Sequence, residues 1–187
     1  MTNNRYCSAL LTLALAVSLP LITAAQTGAR EHLTPQEVDL VKEAQILDKR
    51  VEVFIKAAER RLQALNATPA PVSKKAQKDS EKWGELPTGS RAELLNDLAK
   101  ILDEAINKID DVSARDEKNV LIPKALRKLS AAATGFLPQL NALGAQTKDQ
   151  EERAAIDQSI ENAQSIIEAA NRLPPPANKK EKKTTEE

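Results

Sequence analysis

Apolar residues recur every three or four positions along most of this 187-residue chain, and this spacing constrains the fold more than any other feature. It is the period of an amphipathic α-helix, whose apolar stripe faces a core. One such stripe consists of Leu95, Leu98, Leu102, Ala105, Ile109 and Val112. Strict apolar–polar alternation is absent, and glycine occurs only five times. The sequence therefore predicts an all-α protein.

Start signals divide the periodic region into four long helices. The Ser/Thr-x-x-Glu/Gln capping box, which satisfies free amides at a helix start, occurs at Thr34, Ser90 and Thr147. A proline suits the first turn of a helix, so a further helix is predicted to begin near Pro123. The predicted helices run from Pro35 to about Asn66, from Ser90 to about Lys118, from Pro123 to about Gly144, and from Thr147 to about Leu173.

The connections and the regional charges predict an antiparallel up-down bundle of these four helices. Short links after the second and third helices favour antiparallel neighbours, whereas residues 67–89 form a long connection. Residues 90–112, 113–146 and 147–173 carry net charges of −3, +3 and −3. Alternating signs favour a position for the third helix between the second and the fourth.

The first twenty-five residues read as a secretory signal peptide. Arg5 precedes an apolar stretch over residues 9–19, and Thr23-Ala24-Ala25 offers small residues for cleavage. Cleavage would remove Cys7, the only cysteine, so the exported protein would contain no disulfide. We expect a periplasmic or cell-surface protein without stable membrane insertion after cleavage. The alternative is an uncleaved N-terminal inner-membrane anchor, since residues 6–29 carry no charge.

The remaining boundaries follow from composition. Residues 26–33 are expected to be a flexible N-terminus, and residues 34–173 the helical bundle domain. The Pro-, Lys- and Glu-rich residues 174–187 contain almost nothing apolar and are expected to be a disordered tail.

The sequence contains no recognisable catalytic or metal-binding motif. This predicts a non-enzymatic protein without metal or cofactor. His32, the only histidine, precedes the first helix, where we expect an exposed side chain and not a catalytic base. There is no Glu-x-x-His motif of di-iron bundles and no glycine-rich phosphate loop. Lys and Arg number 27 and Asp and Glu 27, a balance that disfavours nucleic-acid binding.

Two stretches are candidates for a partner surface. The first is the uncharged segment 129–147, with Ala132, Phe136, Leu137 and Leu140 as its central residues; burial within the monomer is the favoured interpretation and a partner interface the alternative. The second is a minor apolar face of the first helix, which includes Ile46 and Val53. The connection 67–89, through the only tryptophan, Trp83, could cover this face, and so could a partner helix or a second copy of the chain.

A short motif adds one further hypothesis. Leu33-Thr34-Pro35-Gln36-Glu37 resembles the Leu-Thr-x-x-Gln signature of the small periplasmic helical stress chaperones related to Spy, with Glu37 at the fifth position and no second copy. The resemblance implies an ATP-independent holdase-type chaperone as an alternative. The sequence itself favours an exported structural or interaction protein that binds an unknown protein partner or itself.

Overall fold

A computed structural model of the chain describes residues 30–66 and 80–175. All regular structure in these two ranges is α-helical, which confirms the predicted fold class. The described residues from Glu31 onward belong to one compact unit. The predicted signal peptide, residues 67–79 of the long connection and the tail from residue 176 lie outside the described residues.

Five helices make up the described fold. They are α1 (Pro35–Glu43), α2 (Leu47–Leu65), α3 (Arg91–Arg115), α4 (Leu121–Gln146) and α5 (Gln150–Asn171). Residues 80–83 are also helical. Gly84 ends this turn with a positive φ of 70°, a conformation that glycine adopts without strain, and its amide donates to Ser80 O at 2.9 Å. Among the helices of the described ranges, none has the length and apolar character needed to cross a membrane.

Two of the three predicted capping boxes are present. Thr34 and Ser90 each accept a hydrogen bond from the third residue of the helix, whose glutamate side chain binds the capping backbone amide in return. The prediction for the last helix is wrong, because Asp149 and not Thr147 is its cap, accepting from Glu152 N at 2.9 Å. Asp149 can act as the cap because a carboxylate serves this position as well as a hydroxyl does.

The first predicted helix is broken, which is a correction to the continuous helix expected from Pro35 to Asn66. It stops at Glu43, and α2 begins at Leu47 after an extended Ile46 (φ −89°, ψ 131°). α1 then folds back along α2, because Glu37 reaches Arg61 at 2.5 Å. Contact with a buried guanidinium pair on α2 overrides the helical pattern of the intervening residues.

Four helices enclose the apolar core, and α1 packs outside them on α2. α2 packs against α3 and α4, and α5 packs against the same two helices. The largest fully buried apolar side chains are Phe54, Leu95, Leu98, Ile101, Leu102, Leu129, Leu140, Ile156 and Ile166. Because every one of these comes from α2 to α5, the core belongs to the four long helices.

Contacts along the bundle fix two helix directions. Asp48 and Lys124, both near the starts of α2 and α4, are 2.7 Å apart, so these helices run in the same direction. α3 and α5 also run in the same direction. Arg91 meets Glu152 at 3.4 Å, and Asn162 donates to the carbonyl of Ala99 at 3.0 Å, two to three turns further along both helices.

The predicted position of α4 between α3 and α5 is wrong. α3 packs extensively on α5 and only slightly on α4, so α5 lies between the other two. The expectation counted net charge over whole segments. The lysines at the start of α4 instead pair with Asp48 and Glu52 of α2, an acidic pair that the regional sums left out.

Candidate functional site

The outward side of the second half of α4 carries no charge. This surface, which we call the uncharged α4 face, consists of Ala131, Thr134, Gly135, Pro138, Gln139, Asn141, Ala142, Ala145 and Gln146, all of them exposed. The exposed sides of α3 and α5 differ, since they present residues such as Lys100, Asp103, Asp157 and Glu161. A helix that faces only water usually shows charge on its outer side, so this face is unusual for a solvated surface.

Small side chains and local hydrogen bonds make the uncharged α4 face smooth. A Cβ added to Gly135 would have no atom within 4 Å, which places this glycine on open surface. The Thr134 hydroxyl donates to Ser130 O at 2.9 Å and the Gln139 amide to Gly135 O at 3.2 Å. These two polar groups therefore lie back along their own helix, and another backbone can approach the face closely.

The large apolar residues of the same segment point the other way. Phe136 and Leu140 are 4% and 0% exposed and belong to the core of the monomer. Ala132 and Leu137 are partly buried and pack against that core. Two of the four predicted central residues are thus buried in the monomer, and the outer side of the segment consists of neighbouring small or uncharged polar residues.

The residues of the second predicted surface do not share one exposed face. Ile46 is 54% exposed at the α1–α2 turn, and Val53 is partly buried. Trp83 is buried, and its ring lies 6.0 Å from the guanidinium carbon of Arg60 on α2, within the range of a cation–π contact. The described end of the long connection therefore packs on α2 through Trp83.

A buried charge cluster that sequence reasoning missed holds α1 in place. Glu37 is completely buried, and its two carboxylate oxygens accept from Arg61 at 2.5 and 2.6 Å and from Arg60 at 3.1 Å. Arg61 also donates to the backbone oxygen of His32 at 2.5 Å. Arg60 and Arg61 are 3% and 1% exposed, so this Glu37–Arg60–Arg61 cluster is a buried ionic anchor.

Two features of the Glu37–Arg60–Arg61 cluster matter for its strength. Arg60 extends the cluster by donating to the backbone oxygens of Gly84 and Glu85. Arg61 Nε is buried and has no hydrogen-bond partner within the described residues. The cluster contains two guanidinium groups and one carboxylate, so loss of Glu37 would leave two buried positive charges without a counter-charge, an expensive state.

A second ionic cluster connects α2 to α4. Asp48 is 3% exposed at its side chain and lies 2.7 Å from Lys124 Nζ and 2.8 Å from Lys128 Nζ. Lys128 also pairs with Glu52. Hydrogen bonds from Lys124 and then Lys128 lower the pKa of Asp48 to about 2, against the opposing effect of burial, so Asp48 is ionised near neutral pH.

His32 differs from the exposed residue that the sequence predicts. Its Nε2 lies 2.7 Å from Glu104 Oε2, and the two side chains are 24% and 28% exposed. Glu104 also pairs with Lys108 at 3.6 Å. Residues 30–66 and 80–175 contain no group of three or more His, Cys, Asp or Glu side chains that could hold a metal ion, so this contact is one histidine–carboxylate pair that ties the N-terminal segment to α3.

Comparison with known proteins yields no match to a protein family, to a curated protein or to a solved structure.

Proposed function

We propose that this chain is an exported, non-enzymatic helical protein that binds a protein partner through the uncharged α4 face. In this proposal α2, α3, α4 and α5 form an up-and-down four-helix bundle. Two observations support that arrangement: α2 and α4 share one direction, as do α3 and α5, and only residues 116–120 and 147–149 connect the last three helices. The sequence of residues 1–25, with Arg5 before an apolar stretch and small residues at 23–25, supports export.

The observation that carries the proposed function is the absence of charge from an exposed helical surface about four turns long. Burying a charged side chain against a partner costs free energy unless it is paired, and the cores of protein interfaces are depleted of charged residues. The uncharged α4 face avoids that cost. Its alanines and Gly135 also allow close helix approach, so a partner helix could pack along residues 131–146.

Site-specific crosslinking tests the proposed surface. A photoreactive residue replaces Ala142 on the uncharged α4 face and, in a matched control, Gln158 on the exposed side of α5. We expect a discrete crosslinked protein from position 142 in the native cell envelope and none from position 158. Equal crosslinking from both positions, or none from either, would contradict the proposed surface.

Ala142→Arg provides the binding test. For this test the photoreactive residue stands at Ala145, another exposed position of the uncharged α4 face. The side chain at 142 is exposed, so we expect the free energy of unfolding to change by no more than about 0.5 kcal/mol, while the complex crosslinked from position 145 is lost. Gln158→Arg, with the same new charge on α5, should leave the complex intact.

An aggregation assay on the purified protein distinguishes the proposed function from that of a holdase. A holdase would suppress aggregation of unrelated unfolded proteins without nucleotide and would yield no discrete partner. That result would replace the proposal. Export is tested separately, since the mass of the mature protein should correspond to a chain that begins at Gln26.

A further inference from the structure

The turn between α1 and α2 contains no residue that normally enforces a turn. It consists of Ala44, Gln45 and Ile46, none of them glycine or proline, and alanine is the best helix former of all. Ile46 precedes α2 in an extended conformation and supplies no side-chain cap. The amides at the start of a helix need a cap, water or a preceding helical turn, so local chemistry at this point favours a helix that continues.

The apolar stripe also crosses the turn without a break. Leu40, Ala44, Leu47 and Val51 are separated by steps of four, three and four, which a continuous helix would keep on one face. Such a helix would separate Glu37 and Arg61, which are 24 residues apart, by about 36 Å at 1.5 Å per residue. Within one chain, a straight helix and the Glu37–Arg61 contact therefore exclude each other.

Two copies of the chain can have both the straight helix and the Glu37–Arg61 contact. Within the described ranges α2 is the only helix on which α1 packs, and the only buried side chain of α1 is Glu37, whose charged partners lie on α2. A second copy presents the same arginine pair. Exchange of an identical element between copies keeps every native contact and changes only the hinge.

We propose that α1 is an exchangeable arm whose acceptor is α2 of a second copy of this chain. In the exchanged dimer residues 44–46 become helical, and Glu37 of each copy pairs with Arg60 and Arg61 of the other. The proposal uses the opposite end of the sequence from the uncharged α4 face and does not depend on the proposed function.

Two substitutions at Ile46 test the hinge, which consists of residues 44–46. They are expected to change the dimer fraction in opposite directions. The side chain is 54% exposed, so neither Ile46→Pro nor Ile46→Ala leaves a large cavity. Proline lacks the backbone amide and its ring clashes with the preceding turn, so it is strongly unfavourable inside a helix. The extended Ile46 (φ −89°, ψ 131°) needs only a modest change of φ to accept it. Alanine favours the straight helix.

The experiment refolds the full chain at low and high protein concentration and measures its molar mass by light scattering. We expect a concentration-dependent dimer for the native sequence, a larger dimer fraction for Ile46→Ala, and a dimer dissociation constant raised at least about 100-fold for Ile46→Pro. Monomers in all three proteins, or a dimer unaffected by Ile46→Pro, would overturn the proposal. Ala142→Arg should leave this dimer unchanged. A failure of the arm-exchange proposal can therefore be distinguished from a failure of the proposed function.

Energy transfer between copies locates the exchanged contact. One copy carries a donor dye at Asp39→Cys and the other an acceptor dye at Glu59→Cys, and both copies also carry Cys7→Ser. Positions 39 and 59 are exposed. Each lies two residues from one partner of the Glu37–Arg61 contact. Strong transfer after joint refolding, lost on adding Ile46→Pro, is expected. A dimer that shows no transfer would mean another interface and would overturn arm exchange.

Discussion

Replacing Asp48 with asparagine tests whether charge, and not shape, couples the start of α2 to the start of α4. Asparagine keeps the size of the side chain and its ability to accept a hydrogen bond, but it carries no charge. Lys124 and Lys128 would lose their shared carboxylate, which now lies 2.7 and 2.8 Å from them. Lys128 would keep Glu52 as a partner, so the cluster would be weakened without leaving that lysine alone.

The magnitude follows from the pKa of Asp48. Lowering it from 3.8 to about 2 corresponds to roughly 2–3 kcal/mol of stabilisation, since one pKa unit is worth about 1.4 kcal/mol. That value is an upper bound, because the Lys124 and Lys128 side chains are 57% and 30% exposed and water screens them. Exposed ion pairs contribute about 0.2–1 kcal/mol each, so we expect Asp48→Asn to lower the free energy of unfolding by about 1 kcal/mol.

The pH dependence gives the sharper test. A carboxyl group whose folded-state pKa is lowered stabilises the fold above its unfolded pKa and loses that contribution as pH falls through its folded pKa. For Asp48 the loss should occur between pH 3.8 and about 2. The difference between the native protein and Asp48→Asn should therefore be constant from pH 5 to 8 and shrink towards pH 2.

Urea unfolding followed by the fluorescence of Trp83 measures this difference, because that residue is the only tryptophan and is buried. Asp110→Asn, at an exposed carboxylate of α3, is the matched control and should change the free energy of unfolding by less than about 0.5 kcal/mol at any pH. If Asp48→Asn destabilised the protein equally at pH 2.5 and pH 7, packing or helix capping would explain the effect, and the argument from charge would be refuted.

Two further stability measurements test other parts of the fold. Glu37→Gln should lower the free energy of unfolding by about 3 kcal/mol, because it leaves two buried guanidinium groups without a counter-charge; Glu43→Gln, at an exposed position of the same helix, should have almost no effect, and equal effects would contradict a buried anchor. Gly135→Ala should stabilise by about 0.5–1 kcal/mol, since glycine weakens a helix interior and the new Cβ meets nothing within 4 Å. Gly84→Ala should instead destabilise, because φ there is +70° and the new Cβ would lie 3.1 Å from Gln36 Cδ; thermal melts that show the same sign for both glycines would refute this reasoning.

Local signals in the sequence predicted those parts of the fold that depend on neighbouring residues. The Thr34 and Ser90 capping boxes occur as expected, because each needs only residues three positions apart. The stripe from Leu95 to Ile109 is buried for the same reason, since helical spacing alone puts these side chains on one face.

The same local signals could not predict contacts between residues that are far apart in the sequence. Helical spacing places Phe136 and Leu140 on the same apolar face of the helix, but it does not show whether that face contacts the core or a partner. Net charge per segment could not reveal that Lys124 and Lys128 pair with Asp48, which is separated from Lys128 by 80 residues. The one available clue to the buried anchor was the pair Arg60-Arg61 within an otherwise amphipathic helix, and it did not identify Glu37 as the counter-charge.

The broken first helix shows how local helix preference and a long-range ionic contact compete. Continuing the helix through three turn residues would gain at most about 1 kcal/mol, since each added residue contributes a few tenths of a kcal/mol. Leaving the two buried arginines without Glu37 would cost about 3–5 kcal/mol. The cost of the unpaired arginines exceeds the gain from helix continuation, so α1 folds back in the monomer. In an exchanged dimer the two preferences no longer oppose each other, because the hinge can be helical while Glu37 still meets an arginine pair. Entropy lost on association is then what keeps the copies apart, and protein concentration sets the balance.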